Sequence, residues 1–208
     1  MLRHFPFILL VLACVILTIM AFLLVREWEE DRLLTAFNRT AHDRFLALQH
    51  KIESTLDHLN SLGAFYAASK EVTREEFHLF VTPVIAKNKT IQALEWIPKV
   101  LAEKREAYQL RVREKGHPNF EFLERRQGGG MKRAGKREVY YPVYFVEPLA
   151  GNEKAFGFDL GSESTRLAAL NEAADTGKMV ISGRITLVQE TGSQFGFLVF
   201  LPIYKKQG

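Results

Sequence analysis

The chain has 208 residues, of which 47% are apolar and 25% are charged, a balance that is typical of a globular protein and excludes a disordered one. Its net charge of +4 is too small to indicate a nucleic-acid partner without a concentrated basic patch. Cys14 is the single cysteine, so an internal disulfide is excluded. We expect neither nucleic acid nor a cofactor.

The first element along the chain is a charge-free apolar run from Phe5 to Val25. At ~1.5 Å per helical residue, about twenty such residues cross the ~30 Å core of a bilayer. A cleaved signal peptide is the alternative, but its apolar core is shorter, at ~7–15 residues. The run therefore predicts a transmembrane anchor at residues 1–26. It would cross the inner (cytoplasmic) membrane once, with the rest of the chain facing the periplasm or the outside.

Residues 27–70 are predicted to form a long helical stalk. Two series of mostly apolar residues repeat every seven positions, which is typical of a coiled coil. The two series are Leu34, Ala41, Leu48, Thr55 and Leu62, and Asn38, Phe45, Ile52, Leu59 and Tyr66. Packing of this helix on its own domain and pairing with a second copy both stay open. A homodimer through the stalk is the protein partner that we expect.

From residue 71 onwards, short helical and strand patterns follow one another irregularly. Thr73 and Glu76 have the spacing of a capping box, which predicts a helix start. Strand patterns occupy residues 91–98, 120–124, 139–146, 155–160, 184–190 and 195–204, and helical patterns occupy 103–115 and 164–175. Because strands and helices do not alternate strictly, the pattern predicts an α+β domain with an antiparallel sheet and flanking helices.

A glycine-rich basic segment, residues 125–138, lies between two predicted strands. This composition is typical of a mobile, solvated hairpin loop. Contact with an anion or a lipid headgroup is the alternative. The segment has neither Walker A spacing nor a GxGxxG motif, so it does not predict a nucleotide site.

Asp175, Thr176 and Gly177 form the tripeptide that carries the catalytic carboxylate of aspartic proteases. Those enzymes need two carboxylates that share a proton, and the tripeptide occurs once here. The preceding residues 166–174 are mostly strong helix formers, and Gly177 has the place of a glycine that ends a helix. We interpret the tripeptide as a helix terminus. No catalytic residue is predicted, and the six histidines show no metal-ligand spacing.

Four sequence blocks in a fixed order resemble the CHASE domain, the extracytoplasmic sensor module of plant cytokinin receptors and of bacterial transmembrane signalling proteins. The blocks are EWIPKV at 95–100, VYYPVYFVEPLAGNEKAFGFDLGSE at 139–163, RLAALNEAADTGKMVISGRITLVQE at 166–190 and GFLVFLPIY at 196–204. The resemblance implies a long stalk helix followed by PAS-like α+β subdomains, of which the membrane-distal one binds a small ligand.

The resemblance also implies a second subdomain, a second transmembrane helix and an output domain, such as a histidine kinase, a diguanylate cyclase or a phosphodiesterase. The chain ends at Gly208, so we expect the sensor domain, residues 71–208, to be incomplete and to have no enzymatic activity of its own. The expected function is a membrane-anchored sensor that binds a small molecule and signals through the stalk. A membrane-tethered dimerisation module without a ligand is the alternative.

With Thr-Gly-Lys at 176–178 as the anchor, the resemblance puts the family's ligand contacts at Arg166, ten residues upstream, and further along the chain near Val188 and at Phe200. The resemblance puts an aspartate of the plant receptors at the first position, and an arginine cannot accept hydrogen bonds from an adenine amine. If Arg166 faces the pocket, it favours a carboxylate or a phosphate, and hence an anionic ligand. In the alternative, Arg166 lies in the first turn of a surface helix and pairs with Glu163.

Alternation along the predicted strands adds Tyr144, Phe158 and Thr186 to the pocket wall. Aromatic side chains of this kind more often belong to the core, and this interpretation stays open for them. The predicted ligand-binding residues are Arg166, Tyr144, Phe158, Thr186, Val188 and Phe200.

Overall fold

The computed structural model describes residues 5–188 and 195–204. Its α-helices are α1 (Phe5–Ala68), α2 (Arg74–Lys87), α3 (Arg105–Glu114) and α4 (Ser164–Thr176). Its strands are β1 (Leu94–Trp96), β2 (Val100–Leu101), β3 (Leu123–Arg125), β4 (Met131–Arg133), β5 (Val139–Tyr140), β6 (Phe145–Glu147), β7 (Val180–Ile181) and β8 (Val199–Phe200). Two short 3-10 helices span Ala102–Lys104 and Leu160–Ser162. The chain divides into two compact units, Met1–Ser54 and Thr55–Gly208.

The transmembrane anchor predicted for residues 1–26 is wrong. Among the residues that the structure describes, no helix combines the length and the apolar character that crossing a bilayer requires. The same finding overturns the predicted single-pass location in the inner membrane.

The heptad side chains of α1 have different surroundings in the two units. In the unit Met1–Ser54, Leu34, Phe45 and Leu48 are 61%, 62% and 61% exposed. In the unit Thr55–Gly208, Leu62 is only 5% exposed and Tyr66 packs beside it. Packing on the chain's own domain therefore holds for the last turns of α1. The homodimer stays a prediction.

Four separate antiparallel strand pairs stand in place of the single PAS-like sheet predicted from the sequence, so that prediction is wrong. The pairs are β1 with β6, β2 with β5, β3 with β4, and β7 with β8. The extended segments are short because turns and prolines interrupt them. The predicted strand at 139–146, for example, divides into β5 and β6 on either side of Pro142, which has no N–H to donate. The described chain is thus α+β with small antiparallel ladders.

Two hydrophobic cores lie on opposite sides of the β1–β6 pair. The first core contains Leu62, Val72, Phe77, Val81, Val100, Val112, Phe120, Phe122, Ala134, Tyr140, Tyr144 and Phe145. The second core contains Val143, Val146, Phe158, Leu160, Ala169, Ala173, Val188 and Phe200. Successive side chains of a strand point to opposite faces, so Trp96, paired with Phe145, packs on the first core, whereas Glu95, paired with Val146, faces the second.

The segment 155–160, predicted as a strand, is held between its neighbours without forming one. Gly157 accepts a hydrogen bond from the Leu123 N–H and donates one to the Val143 carbonyl, both at 2.9 Å. Its φ of 85° lies in the left-handed region, which turns the chain out of the strand conformation. A Cβ at this position would collide with the Glu121 carbonyl oxygen. The close approach of the three segments therefore requires glycine.

The predicted start of α2 and the predicted end of α4 are confirmed. The Thr73 hydroxyl accepts from the Glu76 N–H at 3.2 Å, and the Glu76 carboxylate accepts from the Thr73 N–H at 2.8 Å, which completes the capping box. Gly177 follows α4 with a φ of 68°, and its N–H donates to the Ala173 carbonyl at 3.0 Å. Asp175 is a helical residue, as the interpretation of the tripeptide as a helix end requires.

The glycine-rich basic segment contains the turn between β3 and β4, so a hairpin is present, but β4 lies inside the segment that was predicted to be entirely loop. The mobility of the loop stays a prediction. Gly128, Gly129 and Gly130 all have positive φ, at 90°, 105° and 78°. Beyond the turn, the Arg137 guanidinium donates to Glu124 at 2.5 Å and to Asp159 at 3.2 Å. This part of the basic charge is thus neutralised by carboxylates of the same unit.

The last turns of α1 contact β1 through a stacked aromatic pair. The ring centres of Tyr66 and Trp96 are 4.1 Å apart, and the ring planes are inclined by 20°. The Tyr66 hydroxyl oxygen is buried and has no hydrogen-bond partner among the described residues. Burial raises the pKa of this hydroxyl well above its usual range. The stacking stabilises this contact, while the unpaired hydroxyl destabilises it.

We expect Gly157→Ala to destabilise the chain far more than Gly151→Ala. Both glycines have nearly the same φ, 85° and 83°, but only the Cβ at 157 meets other atoms within 4 Å. Backbone strain alone costs ~1–2 kcal/mol. The collision raises the cost at 157 to about 3 kcal/mol or more. Urea unfolding measures both; equal losses would contradict the steric argument.

We expect Tyr66→Phe to leave the free energy of unfolding unchanged or to raise it, because the lost hydroxyl makes no hydrogen bond. Tyr140→Phe is the matched comparison. Its hydroxyl accepts from Arg105 and Arg137 and donates to the Gly135 carbonyl. Loss of these bonds should lower stability by ~1–3 kcal/mol. Thermal denaturation distinguishes the two variants, and a larger loss for Tyr66→Phe would count against the assignment.

Candidate ligand-binding site

A small cavity lies in the second core beside β1. Two charged residues, Glu95 and Arg166, line it together with apolar side chains from several segments. The apolar lining residues are Val143, Ala155, Phe158, Leu160, Leu187, Val188 and Leu198. The cavity volume is about 20 Å³, which is room for roughly one water molecule. Pockets for small organic ligands measure ~300–1,000 Å³, so the cavity is closed to such molecules in this conformation.

A second concavity, of about 350 Å³, lies along α1 between Leu10 and Ile19. One helix face lines it, and none of its lining residues carries a charge. It has no group that would orient a ligand, whereas the smaller cavity has two. The smaller cavity is therefore the candidate site.

Arg166 is held in the cavity by the first turn of α4. Its side chain is 1% exposed, and its guanidinium lies 5.4 Å from the ring centre of Phe158. One terminal nitrogen, Nη2, donates to the Thr186 carbonyl at 3.0 Å. The other, Nη1, contacts the Glu163 carboxylate in an ion pair. The Nε has no hydrogen-bond partner among the described residues. The guanidinium thus faces the cavity with a donor unused.

The observed position of Arg166 agrees in part with each of the two alternatives, the surface helix and the pocket. The residue pairs with Glu163, three positions earlier, as the surface-helix alternative requires. It is nevertheless buried and lines the cavity, as the pocket alternative requires. Burial lowers the pKa of Arg166 to about 10, the positive charge of Arg125 lowers it as well, and Glu95 opposes the shift. The guanidinium stays charged at neutral pH.

Arg125 and Arg166 together hold the segment that covers the cavity, residues 186–188, which we call the covering segment. Both guanidiniums donate to the Thr186 carbonyl at 3.0 Å, and Arg125 also donates to the Leu187 carbonyl at 3.2 Å. The Glu163 carboxylate lies between the two arginines, with one oxygen 3.1 Å from the Arg125 Nε. Opening the cavity on this side requires these charge-assisted bonds to break.

Glu95 is the acidic group of the cavity, and strand alternation puts it there. Its neighbour Trp96 packs on the first core, so Glu95 points towards the second core. The Glu95 residue as a whole is only partly buried. Its carboxyl group, however, is enclosed by protein, and this burial raises the pKa of the carboxyl group to about 7. The positive charge of Arg166 opposes this shift but does not cancel it.

Glu95 and Arg166 face the same cavity without touching. No ion pair or hydrogen bond joins them in the part of the chain that the structure describes. The two groups are still close enough for each to shift the pKa of the other.

The structure brings three of the six predicted ligand-binding residues together in the cavity lining. These are Arg166, Phe158 and Val188. A fourth, Thr186, has an exposed side chain and contributes its carbonyl oxygen, which accepts from Arg166. Thr186 therefore contributes to the site through its backbone carbonyl. Strand alternation predicts only the direction of side chains and does not predict a backbone contact of this kind.

The other two predicted residues lie away from the cavity. Phe200 is buried in the second core but does not line the cavity. Tyr144 belongs to the first core, where its hydroxyl donates to the Tyr108 carbonyl at 3.3 Å and its ring meets Phe120 edge-on. Tyr144 therefore lies on the opposite side of the β1–β6 pair from Arg166.

Sequence reasoning missed Glu95. A signal was present, because Ala93, Glu95 and Ile97 share one face of the strand that was predicted at 91–98. An acidic residue between two apolar residues on the buried face of a strand is unusual enough to mark a candidate site.

We expect the stability of the chain to fall as the pH rises from about 4.5 to about 7, through Glu95. Its pKa is about 7 in the folded chain and 4.5 ordinarily. In this window the unfolded carboxyl group loses its proton while the folded one keeps it. Relative to Glu95→Gln, the wild type should lose about 2–3 kcal/mol across the window, measured by urea unfolding at several pH values.

Glu124→Gln is the comparison variant, because we expect Glu124 to affect the pH dependence of stability in the opposite direction from Glu95. Burial raises the pKa of Glu124, but hydrogen bonds from Arg137, Gly135 and Lys132 outweigh burial and hold the pKa at about 2. Its stabilising contribution should be lost only as the pH falls from about 4.5 towards 2, and should stay constant between pH ~5 and 8. A pH-independent difference between Glu95→Gln and the wild type would show that the Glu95 carboxyl group is not buried.

Comparison with known proteins agrees with the resemblance seen in the sequence. The CHASE domain family matches residues 70–208. Hybrid signal transduction histidine kinase A of Dictyostelium discoideum is 25% identical over 169 residues, which cover 79% of this chain and 8% of that kinase. The chain therefore spans only a small part of the length of this relative. Because the family match covers well over half of the chain, the chain belongs to the CHASE domain family, the sensor domains of signalling proteins that include histidine kinases.

Proposed function

We propose that the chain senses a small molecule, which binds in the cavity of the second core beside Arg166. The observation that carries this proposal is the guanidinium itself. It is 1% exposed, lines the cavity and has an Nε without a hydrogen-bond partner among the described residues. A buried donor left unpaired is costly, and a ligand that accepts its hydrogen bond removes the cost.

The chemistry of Arg166 favours a ligand with a carboxylate or a phosphate group. A guanidinium presents donors in a fixed fork and has no acceptor. An adenine amine needs an acceptor, so a cytokinin-like adenine would find no partner at this position. The apolar residues around the guanidinium, among them Phe158 and Leu160, suit the carbon skeleton of a small organic anion.

Binding would be coupled to movement of the covering segment. The cavity of about 20 Å³ has to enlarge before an organic anion fits. An anion that takes up the Arg166 guanidinium would compete with the Thr186 carbonyl, which holds the covering segment in place. A ligand that prefers the open arrangement shifts the population towards it.

Strand β1 offers a direct connection from the cavity to α1. Glu95 lines the cavity, and the next residue, Trp96, stacks on Tyr66 of α1. A displacement of β1 would therefore change the packing of α1, which would pass the signal on as a helix shift. In a longer protein of the kind that the relative represents, the shift would act on a histidine kinase or another output enzyme. The chain itself is proposed to have no enzymatic activity.

A dimerisation module without a ligand is the second candidate function. Two observations favour it: the cavity volume of about 20 Å³, and the exposed heptad side chains of α1 in the first unit. These include Leu34, Phe45 and Leu48, with Ile52 at 46% exposure. A homodimer through this helix is compatible with both candidate functions. Only the ligand distinguishes them.

A thermal-shift screen of the full chain against inorganic phosphate and small carboxylic and amino acids tests the proposal. We expect at least one probe to raise the melting temperature. The affinity for that probe, measured by calorimetry, should fall ~10–100-fold in Arg166→Lys, because a forked charge-assisted bond is lost. Arg113→Lys is the matched control, since the Arg113 Nε donates to the Phe120 carbonyl, away from the cavity.

The outcome separates the two candidate functions. Equal affinity in the wild type and Arg166→Lys would remove Arg166 from the site. No shift with any probe, together with a dimer in sedimentation, would favour the dimerisation module.

A further inference from the structure

We infer that the ligand of this cavity is a small amino acid, whose carboxylate binds Arg166 and whose ammonium group binds Glu95. This inference rests on the proposed function and adds the chemical class of the ligand. Arg166 alone selects for a negative charge. Glu95 adds a second requirement, because a purely anionic ligand would place like charges together in a closed, apolar space.

The geometry of the two charges is the first argument. Glu95 and Arg166 both line the cavity, but among the described residues no ion pair or hydrogen bond connects them. Opposite charges buried in one cavity would gain from contact, since their attraction is strong where water is scarce. A molecule with an ammonium group at one end and a carboxylate at the other would pair both charges.

The surroundings of the cavity supply the second argument. Apart from Glu95 and Arg166, all residues that line it are apolar. Arg125 and Glu163, which do not line the cavity, form an ion pair with each other, and Glu163 also pairs with Arg166. Glu95 is therefore the one acidic side chain among the lining residues that could receive an ammonium group, and Arg166 is the one basic side chain that could receive a carboxylate.

The protonation of Glu95 gives the third argument and a measurable signature. Burial raises the pKa of Glu95 to about 7, so in the empty cavity the group is about half protonated at neutral pH. An ammonium group in contact with Glu95 favours the ionised form. Binding of an amino acid at pH 7 should therefore release about half a proton, whereas an acid without the amine should release none.

The experiment compares amino acids with analogues that differ only in the amine. Glycine and β-alanine are titrated into the full chain by calorimetry, beside glycolate and 3-hydroxypropionate. We expect one of the two amino acids to bind at least ~10-fold more tightly than its hydroxy analogue, because a buried charged bond is missing from the analogue. Titrations of the amino acid in two buffers of different ionisation enthalpy measure the released proton.

Glu95→Gln should reduce the preference for the amino acid to ~3-fold or less and abolish proton release, because the glutamine carries no charge. Glu147→Gln is the matched control: Glu147 belongs to the same strand pair, but its carboxylate contacts His78 at 3.1 Å, outside the cavity lining. This control should keep both the preference and the proton release. Proton release is measured on the wild type, so the test does not depend on the folding of a variant.

The results also separate this inference from the proposed function. Equal affinity for the amino acids and the hydroxy acids, with both affinities lowered in Arg166→Lys, would overturn the inference and leave the sensor of small anions standing. If none of these probes binds but phosphate does, the ligand is an anion without an amine and the inference fails. If no probe binds at all, both proposals fail.

Discussion

In the pairing of β1 with β6, Glu95 stands opposite Val146 and Trp96 stands opposite Phe145, so neighbouring side chains enter different cores. This alternation is a property of any strand. It has large effects here because the pair has a core on each side and is only three residues long. The first core receives the end of α1, and the second receives α4 with the cavity. The positions of the candidate site and of α1 both follow from the register of this one pair.

Burial of the charged Arg166 guanidinium destabilises the second core. Removal of a guanidinium from water costs several kcal/mol unless other groups replace the lost hydration. Glu163, the Thr186 carbonyl and the ring of Phe158 replace part of it. The replacement is incomplete, as the lowered pKa of Arg166 and its Nε, which lacks a hydrogen-bond partner among the described residues, indicate. A group maintained in this way in a core is more readily explained by a binding role than by stability.

Local signals in the sequence predicted local structure well. The capping box at Thr73 and the helix stop at Gly177 depend on a few adjacent residues, and both are present. The single sheet was wrong because pairing between distant segments decides where a strand ends, and Gly157 turns the chain in the middle of one predicted strand. The anchor was predicted from the apolar character of residues 5–25 alone, and no helix among the described residues meets the requirements for crossing a bilayer.

The residues of the candidate site were also predicted well only where adjacent sequence was sufficient. Arg166 and Val188 were found through the resemblance, while Tyr144 was assigned by alternation in a strand that Pro142 interrupts. Glu95 was missed, although its place between Ala93 and Ile97 on one face of the predicted strand was a signal in the sequence. Its separation from Trp96 by a single peptide bond has an evolutionary consequence. If the proposed ligand contacts Glu95, substitutions at position 95 would change which molecule is recognised without altering the aromatic contact that reaches α1. Relatives with this strand pair would then diverge in ligand specificity while retaining one common mode of signal output.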